Sequence, residues 1–373
     1  MNRRYVLTSA AAVSLPLAGC SGSTPDESAP PNGSEEASDG DDGDDNGSEN
    51  QTESTEDAAP TLDDFDYPDG ARQDGVDGAT LFGTHESTLV EAGSLTHEGE
   101  RTDVFDDNEF SQTQTSKFDD NAVSREVTEN GETERVWSPA DEDVAYVRME
   151  SGFEQAYRVD ERAPPTDEVT GLSEFRRYIS EVEWGAATEL VETAGGLGVV
   201  YESVGYSERL SFGEMREFDA SITVSESGFV SQLEYDQTEL QGGETIAFDV
   251  TAAITAVGDT SVDEPDWADA AREQGVRFDV AFTDDGTAFR VEMTGGDDVS
   301  RDARIRLRDE RGSASSRLSE PLSVGDVLFV GLSESGGLLI DESEAPAEAR
   351  PLAGDLRLTV RTEFPLLTHT RRP

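Results

Sequence analysis

Three stretches between residues 220 and 254 alternate apolar and polar side chains, and this alternation constrains the fold more than any other feature of the sequence. Their apolar members are Ala220, Ile222 and Val224, then Phe229, Leu233 and Tyr235, then Ile246, Phe248, Val250, Ala252 and Ile254. Turn residues at 227–228 and 242–243 separate the stretches. A period of two is that of a β-strand. Successive strands of this kind, joined by short turns, predict an antiparallel sheet with one apolar face.

Helices and further strands precede these three stretches. Residues 78–92 predict a short helix that is capped by Asp77 and carries Phe82, His85 and Leu89 along one face. Residues 172–190 predict a longer helix from apolar side chains at intervals of three and four. We expect strands over 94–105, 110–118, 121–129, 144–159 and 197–206. The predicted fold class is therefore α+β, with the order helix, strands, helix, strands.

A boundary is predicted at residues 260–275, where an acidic run, Pro265 and a short helix precede Gly275. Residues 276–373 then predict another strand series over 276–282, 288–293, 304–308, 327–332 and 356–364. This spacing is typical of a small all-β, sandwich-like domain. We therefore divide the folded part of the chain into residues 65–265 and residues 276–373.

The first twenty residues have the pattern of an export signal. Arg3 and Arg4 precede about 15 mildly apolar residues, a stretch that is too short for a transmembrane helix. The arginine pair resembles the twin-arginine export signal, and Leu17-Ala18-Gly19-Cys20 resembles the lipobox of bacterial and archaeal lipoproteins. That resemblance implies removal of residues 1–19, a lipid on the Cys20 thiol, and a location on the outer face of the cell membrane.

Residues 20–64 predict a disordered acidic tether that spaces the folded part from the membrane. Residues 21–60 contain 13 acidic side chains, no base and no aromatic ring, so they have too little apolar surface to offset the entropy of ordering. Three acceptor sequons for glycosylation begin at Asn32, Asn46 and Asn50. The spacing from Asp42 to Glu53 matches an EF-hand loop, but the flanking segments lack amphipathic helices, so we expect no calcium site.

The charge balance excludes two classes of partner. With 82 acidic and 28 basic residues, the formal net charge is −54, and Lys117 is the only lysine. Such a chain repels phosphate, so nucleic-acid binding and a polybasic membrane patch are not expected. This dense Asp and Glu content, with arginine in place of lysine, resembles that of extremely halophilic proteomes.

Catalytic and cofactor motifs are not found. The three histidines, His85, His97 and His369, lack an H-E-x-x-H pattern, and no nucleophile elbow or phosphate-binding glycine loop occurs. Cys20 is the only cysteine, which excludes a disulfide framework. We therefore expect a non-enzymatic protein with no cofactor and no metal site.

The element order over residues 65–265, with the phrases YPDGARQDGVDG (67–78) and ITVSESGFVSQLEY (222–235), resembles the half-barrel of the periplasmic lipoprotein-carrier family and its lipid-binding relatives. Haloarchaeal lipoproteins with a twin-arginine signal and an acidic tether look similar. The resemblance implies that a curved sheet covered by helices holds an acyl chain or other apolar ligand. Because the carriers are soluble and this chain is expected to be anchored, a fixed receptor or donor is favoured over a shuttle.

The face that would hold such a ligand consists of the apolar side chains of the three alternating stretches. These candidates are Ile222, Val224, Phe229, Leu233, Ile246, Phe248 and Val250. Two alternatives stay open. The same side chains could pack against the helices as a closed core, and the chain could be a surface structural or adhesion protein that makes protein contacts through its β-domains.

Overall fold

The computed structural model describes residues 60–105, 108–193, 195–211 and 213–372. All of them lie in one compact unit, Ala58–Pro373. The predicted export, lipidation and glycosylation residues lie outside the described residues: Arg3, Arg4, Cys20, Asn32, Asn46 and Asn50. Among the described helices, none has the length and apolar character needed to cross a bilayer.

An open antiparallel sheet of eleven strands forms the centre of the described chain. A small ribbon, Ala71–Arg72 (β1) and Gly75–Val76 (β2), precedes it. The strands of the eleven-stranded sheet, which we call the long sheet, are Leu95–Phe105 (β3), Asn108–Phe118 (β4), Ala122–Glu129 (β5), Glu132–Pro139 (β6), Ala145–Ser151 (β7), Glu154–Asp160 (β8), Val182–Thr193 (β9), Gly196–Tyr206 (β10), Glu214–Ser225 (β11), Val230–Gln241 (β12) and Glu244–Thr255 (β13). Their spatial order is β8-β7-β6-β5-β4-β3-β13-β12-β11-β10-β9. Two meanders thus meet where β3 pairs with β13, and the predicted antiparallel sheet is confirmed.

In the described residues, four helices accompany this sheet: Gly78–Ala92 (α1), Thr166–Val169 (α2), Leu172–Glu181 (α3) and Ala268–Gln274 (α4). Helix α1 confirms the first predicted helix. The Asp77 side chain accepts a hydrogen bond of 3.0 Å from the backbone N–H of Thr80, and Phe82, His85 and Leu89 are buried along one face. A 3-10 turn at Leu62–Asp64 precedes it, so the last residues of the range predicted as tether are ordered.

The predicted helix over 172–190 was half wrong, because helix α3 ends at Glu181 and β9 begins at Val182. Residues 182–190 have apolar side chains that fit either period. Pairing of this edge segment with β10 supplies its backbone hydrogen bonds, and Val182 and Trp184 then alternate into the core. The predicted single strand over 144–159 is a hairpin that turns at Gly152, and β6 was not predicted.

The C-terminal strands form two further antiparallel sheets over a common core. The strands are Arg277–Phe282 (β14), Ala288–Gly295 (β15), Arg304–Asp309 (β16), Gly312–Arg317 (β17), Val327–Ser333 (β18), Leu338–Asp341 (β19), Ala349–Arg350 (β20), Leu356–Arg361 (β21) and Pro365–Arg371 (β22). One sheet has the order β14-β15-β18-β19, with β20 paired to β18, and the other has the order β17-β16-β21-β22. His369 lies in β22 beside Phe289.

One face of the long sheet is covered by two different structures. Residues that lie directly opposite each other on paired strands point to the same face. The pairing register places Leu233 of β12 and Met149 of β7 on the same face, through Ala252, Gly99, Gln114, Val127 and Glu134. Leu233 belongs to the core beneath helices α1 and α3, and Met149 belongs to the core beneath the C-terminal strands. The helices therefore cover this face at one end, and the C-terminal strands cover it at the other. Helix α4 packs on the opposite face, against Trp137 and Tyr146.

Candidate functional site

The seven predicted ligand-face residues lie on or next to the three strands β11, β12 and β13, beneath helices α1 and α3. Five of them belong to one buried core, and Phe248 is half-buried against it: the five are Ile222, Val224, Phe229, Leu233 and Val250. Ile246 is also buried but lies outside that core, opposite Phe105. The structure therefore brings six of the seven predicted residues together.

Helix side chains fill the space above this face. Leu81, Phe82 and Leu89 of α1 and Phe175 and Ile179 of α3 belong to the same buried core as the strand residues. In the described residues, the prominent grooves lie elsewhere, in the C-terminal region and at its border with β8, and their walls contain none of the seven. The covered part of the face is thus packed as a core.

The face continues past the helices to an exposed group of aromatic rings, which we call the aromatic end. Its members are Phe105, Phe110, Tyr206, Phe218 and Phe248. Phe105 and Phe110 are 36% and 43% exposed, and their ring centroids are 5.8 Å apart. The Phe105 ring lies 6.4 Å from that of Phe248 in an edge-to-face arrangement. Apolar surface of the core is therefore continuous with solvent-exposed rings at this end of the strands.

Two stacked tyrosines separate the aromatic end from the closed core. The rings of Tyr178 on α3 and Tyr235 on β12 are 4.0 Å apart, and the Tyr178 ring also stacks on Phe218 at 6.4 Å. The Tyr235 hydroxyl donates to Glu174 Oε1 at 3.0 Å, and the Tyr178 hydroxyl donates to Gln237 Oε1 at 3.4 Å. Burial raises the pKa of Tyr178 to about 12 and raises that of Tyr235 further, so both hydroxyls stay neutral donors.

A buried carboxylate lies beside these tyrosines. Glu239 is 1% exposed and accepts hydrogen bonds from Ser211 Oγ at 2.6 Å and from the Gly213 backbone N–H at 3.2 Å. Gln237 Nε2 lies 3.5 Å from the same carboxylate. These contacts hold the loop before β11 against β12, so that the polar groups bordering the aromatic end are hydrogen-bonded.

Two buried histidines flank Phe175 under helix α3. Their ring centroids lie 5.2 Å (His85) and 6.3 Å (His97) from that of Phe175. The Val230 backbone N–H donates to His85 Nδ1 at 3.0 Å, whereas His85 Nε2 and both nitrogens of His97 are buried and have no hydrogen-bond partner among the described residues. Burial lowers the pKa of His85 to about 3 and that of His97 to about 4, so both rings are neutral near pH 7.

Close packing around His97 explains why residue 171 is a glycine. Gly171 precedes α3 with a φ of 69°, and a Cβ built there would lie 2.6 Å from His97 Nε2. Only glycine fits both the left-handed conformation and this approach. The two histidines therefore lie in a tight apolar layer, which differs from the open pocket that proton transfer to a substrate requires.

The positions of the histidines and acidic side chains in the described residues give no evidence for a catalytic site. His369 lies beside Phe289 in the C-terminal sheets, away from the His85–His97 pair. Within the described residues, no three His, Cys, Asp or Glu side chains are grouped to hold a metal ion. The expectation of a protein without enzymatic activity stays a prediction.

The sequence did not identify the aromatic end. Phe105 and Phe110 lie on the neighbouring strands of one hairpin, whereas Phe218 lies on β11, more than a hundred residues further along the chain. The register places Phe218 and Phe248 on either side of Gln237 and places Phe105 opposite Ile246. Aromatic residues near the ends of predicted strands could have indicated this group, but only the strand pairing shows that their rings lie close together.

Comparison with curated proteins gives no match. Solved structures that resemble the chain include a DUF1329 family protein from Desulfovibrio piger (10% identity, 51% of this chain and 95% of that one, TM-score 0.20). They also include a LolA superfamily protein from Nitrosomonas europaea (11%, 52% and 96%, TM-score 0.19) and the MucA/MucB complex of Pseudomonas aeruginosa (10%, 71% and 92%, TM-score 0.24). TM-scores this low do not establish that these proteins and this chain share a fold.

The comparison with family models gives one family. The model of a family of unknown function, DUF7537, matches residues 6–271. The matched range runs from the apolar part of the predicted export signal to the end of the long sheet and most of α4. The chain therefore belongs to the DUF7537 family.

Proposed function

We propose that this protein is a non-enzymatic, lipid-anchored exterior protein that binds an acyl chain or a similar apolar ligand at the aromatic end of its long sheet. The observation that carries the proposal is the continuity between exposed Phe105 and Phe110, half-buried Phe248 and the apolar core beneath α3. Contiguous exposed apolar surface next to a concave apolar face is typical of ligand and partner sites.

Other exposed large apolar side chains are distributed differently. Val90, Phe153 and Val324 lie on α1, in the β7–β8 turn and in the loop before β18, respectively, and Val204 lies on β10, two residues before Tyr206. Single exposed apolar residues are ordinary on protein surfaces. The aromatic end is distinguished because the exposed rings of Phe105 and Phe110 contact each other and Phe105 contacts Phe248, which packs against the core.

An acyl chain at this end has a physical path toward the core. It would lie along the rings of Phe105, Phe110 and Phe248, and each buried methylene would contribute about 0.8 kcal/mol. Deeper entry requires the Tyr178–Tyr235 stack to separate, because these rings fill the space toward the predicted ligand face. Two of the contacts that hold α3 at this point are the hydrogen bonds of the neutral Tyr178 and Tyr235 hydroxyls, which a ligand-induced shift of α3 would exchange.

The anchor is proposed from the sequence. The lipobox that ends at Cys20 lies inside the range matched by the family model, together with the acidic segment and the long sheet. Two hydrocarbon chains on this cysteine would hold the protein stably on the outer face of the membrane. In that position the aromatic end would act as a fixed receptor or donor.

Native mass spectrometry of the full chain, purified from its host in detergent, tests both parts of the proposal. We expect a covalent lipid on Cys20 that survives denaturation, and a second, non-covalent lipid that denaturation releases. The variant F105S/F110S should lose at least about 90% of the second lipid, since both rings are more than a third exposed and contact each other.

The control variant V90S/F153S removes two exposed apolar side chains far from the aromatic end and should keep the second lipid. An unmodified Cys20 would refute the anchor. Equal loss of the non-covalent lipid from both variants, or its absence from the unsubstituted protein, would refute the ligand site.

A further inference from the structure

The outer face of the C-terminal sheet β17-β16-β21-β22 carries an unusual arrangement of charge. Strand β16 alternates between exposed Arg304, Arg306 and Arg308 and a buried side. Arg361 lies opposite Arg304 and Arg357 lies opposite Arg308 on the neighbouring strand β21, and both are exposed. We call these five residues the arginine face.

A shallow groove of about 490 Å³ lies on this face. Eleven residues line it, and they comprise the five arginines, four serines or threonines, one alanine and one proline. Its wall therefore contains no acidic residue, in a chain whose 82 acidic side chains outnumber 28 basic ones. Asp302 and Glu363 lie beyond the groove, in a neighbouring depression that Arg304 and Arg361 also line. Because acids outnumber bases about three to one in the chain, an acid-free groove with five arginines points to an anionic partner.

The guanidinium groups of the arginine face have unused donors. In the part of the chain that the structure describes, the ion pairs within 4.0 Å involve none of these five arginines. Arg306 donates to Ser313 Oγ at 3.0 Å, and Arg361 donates to the Glu363 backbone carbonyl at 3.2 Å. Like charges directly opposite each other on paired strands are destabilising. An anion between Arg304 and Arg361 would relieve that repulsion.

The geometry points to an extended acidic polypeptide segment of a partner protein as the ligand of the arginine face. Alternate residues on β16 are roughly 6.7 Å apart, and alternate carboxylates on an extended peptide have the same repeat. Each guanidinium can bind a carboxylate through two parallel N–H donors. This contact surface is separate from the aromatic end and goes beyond the proposed lipid binding.

Other polyanions fit the groove less well. A membrane surface would favour apolar side chains that insert between headgroups, and the groove wall offers only Ala314 and Pro365. A polysaccharide would favour aromatic rings on which sugars stack, and none of the lining residues is aromatic. The serine and threonine hydroxyls among the arginines can donate further hydrogen bonds to carboxylates.

Fluorescence anisotropy of a labelled 20-residue poly-aspartate, titrated with the full chain at several KCl concentrations, tests this inference. We expect saturable binding that weakens at least tenfold in the variant R304S/R306S/R308S. The variant R304K/R306K/R308K keeps the charge but lacks the planar fork, and should weaken binding several-fold. R357S/R361S, on the neighbouring strand, should also weaken binding and provides a second test if the triple variant does not fold.

The matched control is R72S/R209S/R216S, which removes three exposed arginines elsewhere and makes the same change of net charge. It should bind poly-aspartate within twofold of the unsubstituted protein. Equal weakening in the control would mean that charge alone attracts the peptide, and would overturn the inference. Dextran sulfate or anionic lipid vesicles that bind at the arginine face, when poly-aspartate does not, would overturn it in favour of a polysaccharide or a membrane.

Discussion

The two covered ends of the long sheet are held in different ways. At the end covered by α1 and α3, the side chains of the helices and the sheet that bridge the two include the neutral Tyr178 and Tyr235 hydroxyls and the neutral His85 ring, and His97 is also buried without charge. At the end covered by the C-terminal strands, buried or nearly buried arginines make the links. Arg158 of β8 contacts Asp160 and donates to the Pro365 carbonyl of β22 at 2.7 Å.

A second arginine locks the C-terminal sheets to each other. Arg350 on β20 pairs with Asp309 on β16 through two hydrogen bonds of 2.5 and 3.0 Å, and both side chains are buried. Charged groups in such positions cannot separate without a large desolvation cost. The comparison teaches that buried or nearly buried charged groups hold the C-terminal strands to each other and to β8, whereas neutral groups that can exchange hydrogen bonds bridge the helix cover and the sheet. The cover that can shift, formed by α1 and α3, is therefore the one that borders the aromatic end.

The largest effect is expected from R350M, which leaves Asp309 buried without its partner. Hydrogen bonds from Arg350 lower the pKa of Asp309, so the carboxylate stays charged near pH 7. We expect the free energy of unfolding to fall by about 3–5 kcal/mol in denaturant titrations. The double variant D309L/R350M should recover at least half of that loss. A loss below about 1 kcal/mol in R350M would show that the strand-covered end is not fixed by this pair.

The helix-covered end should lose stability first as the pH falls. His85 and His97 have pKa values of about 3 and about 4 in the folded chain, below the ordinary value of 6.5. The unfolded chain therefore binds more protons below pH 6.5, and each group lowers the free energy of unfolding by about 1.4 kcal/mol per pH unit. By pH 5 the two together should cost up to about 4 kcal/mol.

Unfolding of H85L/H97L measured between pH 7 and pH 5 provides the control, because this variant should lose most of that pH dependence. The pKa of Asp309 is also lowered, but from the ordinary aspartate value of 3.8, so its contribution to stability is lost only as the pH falls below 3.8. A stability that is constant between pH 6.5 and pH 5 would contradict the neutral burial of the histidines.

The smallest effect is expected from Y235F. It removes the hydrogen bond from the Tyr235 hydroxyl to Glu174 on α3 but keeps the stacked ring. We expect a loss of about 1 kcal/mol in the free energy of unfolding and faster amide exchange in α3. Y206F alters a tyrosine that is 42% exposed and should change neither quantity. A loss of more than about 3 kcal/mol in Y235F would mean that α3 is fixed as firmly as the C-terminal strands.

Much of the fold could be predicted from local sequence patterns. The cap at Asp77 and the helical spacing of Phe82, His85 and Leu89 were sufficient to predict α1. The alternating stretches predicted β11, β12 and β13 because a strand with one buried face leaves a period of two in its sequence. Residues 182–190 fit both periods, and only pairing with β10 decided that they form a strand.

Local sequence therefore determined which segments form helices or strands and which side of each strand is apolar, because backbone geometry imposes these periods on neighbouring residues. Tertiary structure alone decided which strands are neighbours. That pairing brings Phe248 beside Phe105 and places Arg304 opposite Arg361. Residues far apart in the chain meet through register, and register depends on the free energy of the whole sheet, which no single segment encodes.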